Sequence, residues 1–118
     1  NGMDDPQIRA IVKKALSDSL WSVRELALTI CEGYEHDDQA EVVAKIRQMA
    51  TKDSKSLGRA QAVNAVASLG EAHLDVVEKC LNDQSYTVIA TSLYAYANLG
   101  GIEPLKKVQQ FEPSESLT

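Results

Sequence analysis

The chain has 118 residues, 44% of them hydrophobic and 25% charged, an ordinary soluble composition with length enough for one core. A formal net charge of −5 argues against nucleic acid as a partner, because a phosphate-binding surface needs clustered Lys and Arg and the short basic spots Lys13-Lys14 and Lys106-Lys107 are too small to reverse the balance. No apolar run is long enough to cross a bilayer and none follows a basic start, which excludes membrane insertion and a signal peptide for these residues and leaves the compartment open.

Asp5-Pro6 opens the first predicted helix, with the aspartate as N-cap and proline where its missing N–H costs nothing. Ile8, Ile11, Val12, Ala15 and Leu16 fall on one face of it. After a loop at Asp18, Trp21, Val23, Leu26, Ala27, Ile30 and Cys31 are expected to form the inward face of a partner helix that ends near Gly33. The expected inward set includes Trp21, so truncating it is expected to be costly.

Residues 32 to 41 gather Glu32, Glu35, Asp37, Asp38 and Glu41 around His36. No second His or Cys stands three or four residues from His36, so no metal set is expected and the cluster reads as a solvated loop in which Asp37 or Asp38 caps the next helix. That helix is expected from about Asp38 to Met49, with Val42, Val43, Ile46, Met49 and Ala50 inward, followed by a polar loop from Thr51 to Ser56.

A fourth helix carries Ala60, Ala62, Val63, Ala65, Val66 and Leu69, small side chains that allow close approach, and Gly58 is expected to weaken its first turn. The fifth runs from Glu71 to Asn82 with Leu74, Val77 and Leu81 on the core side. His73 and Cys80 lie one stripe over, and two ligands do not make a structural zinc site. Cys31 and Cys80 read as buried free thiols.

The sixth helix places Val88, Ser92, Ala95, Tyr96 and Leu99 on one face and ends at Gly100. A lone seventh helix is expected over 102–112 around Ile102, Leu105 and Val108, and 113–118 as a truncated, mobile tail of an array that continued.

Three stretches superpose in register on their loop aspartates Asp18, Asp53 and Asp83, spaced by 35 and 30 residues. Five residues on come Val23, Gly58 and Val88, and nine on come Ala27, Ala62 and Ser92. Tyr86 occupies the position of Trp21. A two-helix unit of this length cannot bury its apolar stripe alone, so neighbours must stack. The expected fold is all-α: three hairpins at about 5–34, 37–70 and 71–100 with a terminal helix, about seven helices in a right-handed superhelical stack, one domain over 1–112.

The pattern Asp-x-x-Trp-x-Val-Arg-x-x-Ala from Asp18 to Ala27, and Leu-x-Asp-x-Ser-Tyr-x-Val from Leu81 to Val88, resemble HEAT-like repeats. Arg24 and Arg59 match the arginine of that repeat and Ile89 departs from it; the resemblance implies that the arginine pairs with loop acids such as Asp18 or Asp53. More narrowly, Ala15 to Glu25 and Cys80 to Ala90 are similar to the C-terminal helical domain of bacterial M1-family zinc aminopeptidases. The resemblance implies a non-catalytic lid that packs on a catalytic domain and limits which peptides reach its zinc. Neither the His-Glu-x-x-His nor the Gly-x-Met-Glu-Asn motif of such enzymes occurs here, so no cofactor is expected in this chain and zinc only in a separate catalytic domain. The partner would be that domain, with peptide substrate passing nearby, and the compartment, cytoplasmic or exported, would be set upstream. The alternative is a free-standing HEAT-like scaffold that binds another protein.

Overall fold

A computed structural model describes residues 2–100, and the helix expected over 102–112 and the tail 113–118 lie outside the described residues. Six α-helices follow a short 3-10 turn: α1 (Pro6–Ala15), α2 (Trp21–Ile30), α3 (Gln39–Lys52), α4 (Ser56–Ala67), α5 (Leu74–Cys80) and α6 (Tyr86–Gly100). A second 3-10 turn, Glu71–His73, leads into α5. Consecutive helices pair as α1 with α2, α3 with α4, and α5 with α6, and no strand occurs among the described residues. α2 packs on α4 and α4 on α6, which makes the second helices of the three hairpins one layer; α3 packs on α5 in the other, beside α1. The fold is a small α-solenoid-like stack, and α4, at its centre, contacts α2, α3, α5 and α6.

Local chemistry sets the helix ends. The Asp5 carboxylate accepts the Gln7 N–H at 2.8 Å with Pro6 at the first helical position, as the sequence predicts. Gly33 and Gly70 adopt φ of +66° and +107° after α2 and α4, where a side chain would be strained, and so reverse the chain between hairpins. Asp38 is the residue before α3 but makes no capping bond. Its carboxylate instead accepts the Tyr34 hydroxyl at 2.6 Å and the Lys13 ammonium at 2.9 Å, which ties the first hairpin to the second.

The core is continuous through the stack. Leu16, Leu28, Val42, Ile46, Val63, Val66, Val77, Leu81 and Val88 are fully buried, each worth about 1.5–3 kcal/mol relative to exposure. Two thiols belong to it, Cys31 and Cys80, whose pKa values burial pushes up to about 11, so both are inert at neutral pH.

Several expected inward positions are not inward. In α1, Ile8 and Ile11 are exposed while Val12 and Leu16 are buried. In α2, Leu26 and Ile30 are exposed, and Leu28, absent from the expected stripe, is fully buried with Ala27 and Cys31. The cause is shared: among the described residues the first hairpin has a packed neighbour on one side only, so the apolar residues of its other side are exposed. Trp21 is half-buried and Tyr86 exposed, because both stand at helix starts beside the loops and not between layers. α3 runs to Lys52, which shortens the expected polar loop to Asp53–Lys55, and Val43 is only half-buried. In the third hairpin Val76 joins Val77 in the core and Leu74 is half-buried.

Candidate functional site

The three loop aspartates perform the same local task. Each carboxylate Oδ1 accepts the backbone N–H two residues on: Asp18 from Leu20 at 2.8 Å, Asp53 from Lys55 at 2.9 Å, Asp83 from Ser85 at 2.8 Å. This Asx-turn fixes the entry into α2, α4 and α6. One turn inside the helix, the arginine six residues after the aspartate reaches in two directions. Arg24 donates Nη1 to the Asp18 and Ser19 carbonyls at 3.0 and 3.1 Å, and grips Asp53 of the next loop through Nε at 2.8 Å and Nη2 at 2.9 Å. Arg59 repeats the pattern, with Nη1 on the Asp53 carbonyl at 2.8 Å and a two-point grip on Asp83 at 2.8 and 3.0 Å. The result is a directional ladder in which the arginine of one hairpin holds the aspartate of its successor.

The rungs are shielded. The Asp53 side chain is 3% exposed and its Arg24 partner 12%. Planar two-point pairs of this kind are stronger than neutral hydrogen bonds. Their arginine pKa values are raised by the Asp53 and Asp83 hydrogen bonds. Burial works against the charged form of Asp83, but Arg59 and the Ser85 N–H outweigh it and hold its carboxyl below the usual range. Gly58 has a place in this geometry that sequence reasoning missed: a Cβ there would stand 2.6 Å from Asp53 Oδ1. It leaves room for the buried carboxylate, where Val23 and Val88 occupy the equivalent positions. At Ile89 the arginine position carries no donor, so the ladder ends in the third hairpin.

Away from the loops the two layers differ in charge. The helices α2, α4 and α6, of 10, 12 and 15 residues, hold three charged residues, Arg24, Glu25 and Arg59, and α6 holds none. Both arginines are spent in the ladder. The helices α1, α3 and α5, of 10, 14 and 7 residues, hold ten. Several of them pair, such as Arg47 with Asp75 at 2.6 Å and Lys13 with Asp38 and Glu41. The outer face of the α2–α4–α6 layer presents hydroxyls, amides and bare apolar groups. Gln61 donates to Thr29 across α4 and α2 at 3.2 Å, and Leu57, Tyr86 and Tyr94 are exposed. Its signal in the sequence was the charge count per helix.

The structure disperses the two histidines. The His36 and Tyr34 rings meet in a T-shaped contact with centroids 4.8 Å apart, and His73 Nδ1 lies 3.2 Å from Arg47 Nη1. Among the described residues, no three His, Cys, Asp or Glu side chains converge as a metal-holding group, and no helix is long and apolar enough to cross a membrane. Of the repeat positions, Ala27, Ala62, Val88 and Ser92 lie in the core, Arg24, Asp53, Arg59 and Asp83 form the ladder, Val23 and Trp21 are half-buried, and Asp18 and Tyr86 are exposed.

Stacked hairpins with an arginine–aspartate ladder along one edge define a HEAT-like helical-repeat protein. A family model described as "HEAT repeat associated with sister chromatid cohesion" matches residues 1–30, which span the first hairpin. No curated protein and no solved structure matches the chain.

Proposed function

We propose that this chain is a protein-binding scaffold without chemistry of its own, and that it binds through the α2–α4–α6 face. The observation that carries the reading is the depletion of charge on that layer together with its exposed Leu57, Tyr86 and Tyr94. Interface centres are poor in charge and rich in aromatic side chains, because a charge stripped of water there must be re-paired whereas a tyrosine buries area and keeps a polar tip. The ladder supports the role by fixing the hairpins relative to one another, so a partner meets a surface already ordered.

A photo-cross-linker placed in turn at Leu57, Tyr94, Lys14 and Lys79, in cells that make the protein, tests this. Adducts confined to Leu57 and Tyr94 are the expected result; equal capture from Lys14 and Lys79 removes the reading.

The narrower form makes the partner the catalytic domain of an M1-family zinc aminopeptidase, with peptide passing the same face and zinc held in that domain. Its support is the likeness of Ala15 to Glu25 and of Cys80 to Ala90 to the helical domain of those enzymes. In that form the isolated chain shows no hydrolysis of an aminoacyl reporter with or without zinc, and metal-dependent turnover would overturn it.

A further inference from the structure

The end of α1 and the second half of α3 meet across an open cleft of about 240 Å³ whose two walls belong to the first and second hairpins. Buried Leu16 and Met49 floor it, and Ser17, Lys45, Gln48 and Lys52 form its rim. Lys45, Gln48 and Lys52 follow one another at three and four residues, so they stand on one side of α3. Among the described residues neither ammonium has an acid partner, and the Ser17 hydroxyl and Gln48 amide make no hydrogen bond. Asp53 also borders the cleft, but its carboxylate is taken by Arg24 and the Lys55 N–H, and its side chain is 3% exposed.

The next step of the stack shows what this one lacks. Between α3 and α5, Arg47, six residues before its loop aspartate, grips Asp75, eight residues before the following one. Between α1 and α3 the same two positions are Val12 and Lys45. A lysine thus stands where the third hairpin has an acid, and Lys13 spends its charge nearer the start of α3, on Asp38 and Glu41. The cleft is left with two unbalanced positive charges in a chain whose net charge is −5.

We propose that this cleft binds an acidic, extended segment of a protein partner, with one carboxylate on Lys45 and a second on Lys52. Seven residues of α-helix rise about 10 Å. A polyproline-type chain returns to the same side every third residue and rises about 9 Å in doing so, so two acids three residues apart match the two lysines. Gln48 and Ser17, between the lysines and across from them, supply donors and acceptors for the peptide backbone. The cleft admits a single extended strand of chain and not a helix, which is about 10 Å across or more. The chain's own residues 101–118 hold Glu112 and Glu115 at the matching spacing, but Lys106 and Lys107 reduce their three acids to a net −1, so a more acidic partner is the better complement. The inference is separate from the α2–α4–α6 reading, because it concerns the other layer and because Lys14 does not line this cleft.

The probe is a fluorescein-labelled peptide, Gly-Ser-Glu-Pro-Pro-Glu-Ser-Gly, titrated with the full chain at low salt and followed by anisotropy. Because the chain as a whole is acidic, capture of an acidic peptide cannot come from its overall charge. Saturable binding is expected, weakened about tenfold by Lys45→Gln with Lys52→Gln, as the loss of two partly exposed ion pairs implies. The fold tolerates the change, since the third hairpin carries Asp75 where Lys45 stands. Lys14→Gln with Lys79→Gln removes the same charge from exposed positions outside the cleft and should alter binding less than about twofold. Failure of the peptide to bind, or an equal loss in the two double variants, overturns the proposal. So does displacement by inorganic phosphate as readily as by unlabelled peptide, which would make the cleft a simple anion site. Tighter binding of the probe to a full chain with Glu112→Gln and Glu115→Gln would make the chain's own tail the occupant and overturn the partner.

Discussion

α1, α3 and α5 carry ten charged residues, several of which pair across the stack, whereas α2, α4 and α6 carry three and shield the two arginines among them in the loop ladder. Both layers must hold neighbouring hairpins in register. The first does it with pairs that water screens, Lys13 to Glu41 at 3.2 Å and Arg47 to an Asp75 side chain that is 61% exposed. The second does it with shielded two-point grips and with small side chains, Ala62, Ala65 and Ala95, that bring helix backbones close. Where an ion pair sits thus matters more than how many there are, since an exposed pair is worth little and the loss of one partner from a shielded pair strands a charge.

That contrast can be broken most sharply at Arg59. Arg59→Ala removes the grip on Asp83 and the bond to the Asp53 carbonyl, and is expected to cost about 3 kcal/mol in urea unfolding, against under ~1 kcal/mol for Arg47→Ala. Equal losses would mean that shielding of the ladder contributes nothing.

Next in size is Gly58. A valine there supplies the residue found at Val23 and Val88 and a poorer clearance for Asp53, and should destabilise by about 2 kcal/mol through displacement of that carboxylate. If the ladder is what suffers, adding Gly58→Val to an Arg24→Met background costs much less than adding it to the natural chain, which a double-mutant cycle measures.

Ser92 sharpens the comparison from the other side. Its hydroxyl is fully buried without a hydrogen-bond partner, in a position that is alanine at Ala27 and Ala62. Ser92→Ala is expected to raise stability by about 1 kcal/mol, read as a higher urea midpoint at unchanged m-value; a loss would mean the hydroxyl is satisfied in solution.

The smallest effect is in acid. Asp38 is held at a pKa of about 2 by the Tyr34 hydroxyl and then Lys13, and Asp75 at about 2 by Arg47. Folded values below the unfolded one mean that these groups stabilise the fold above about pH 4, the ordinary aspartate range, and that the contribution fades as pH falls towards 2. Because both side chains reach water, the fading should be shallow. Lys13→Met should flatten the decline between pH 4 and 2, and an unchanged slope would remove Asp38 from the account.

The repeat was legible because it is written in residue types that have few substitutes: an aspartate to accept a loop N–H, an arginine six residues on, a small residue at the helix crossing. Hairpin order and most of the α3, α4 and α6 faces follow from that register, as Ile46, Val63 and Val88 show. The buried face of the first hairpin was not legible, because Ile11, Leu26 and Ile30 have the same apolar character whether a neighbour covers them or not. Trp21 was expected in the inward set from its place after the loop aspartate, but a residue at the start of a helix projects over a loop, where only half of it meets protein.

By itself the sequence determined that helices form, that they pair, and which loop residue begins each second helix, since these depend on neighbours within a few positions. Only the tertiary structure decided which aspartate each arginine holds and why Gly58 stands where valine stands elsewhere. These are matters of distance between hairpins whose loops lie some thirty residues apart in the sequence, and the chain's local chemistry carries no measure of that distance.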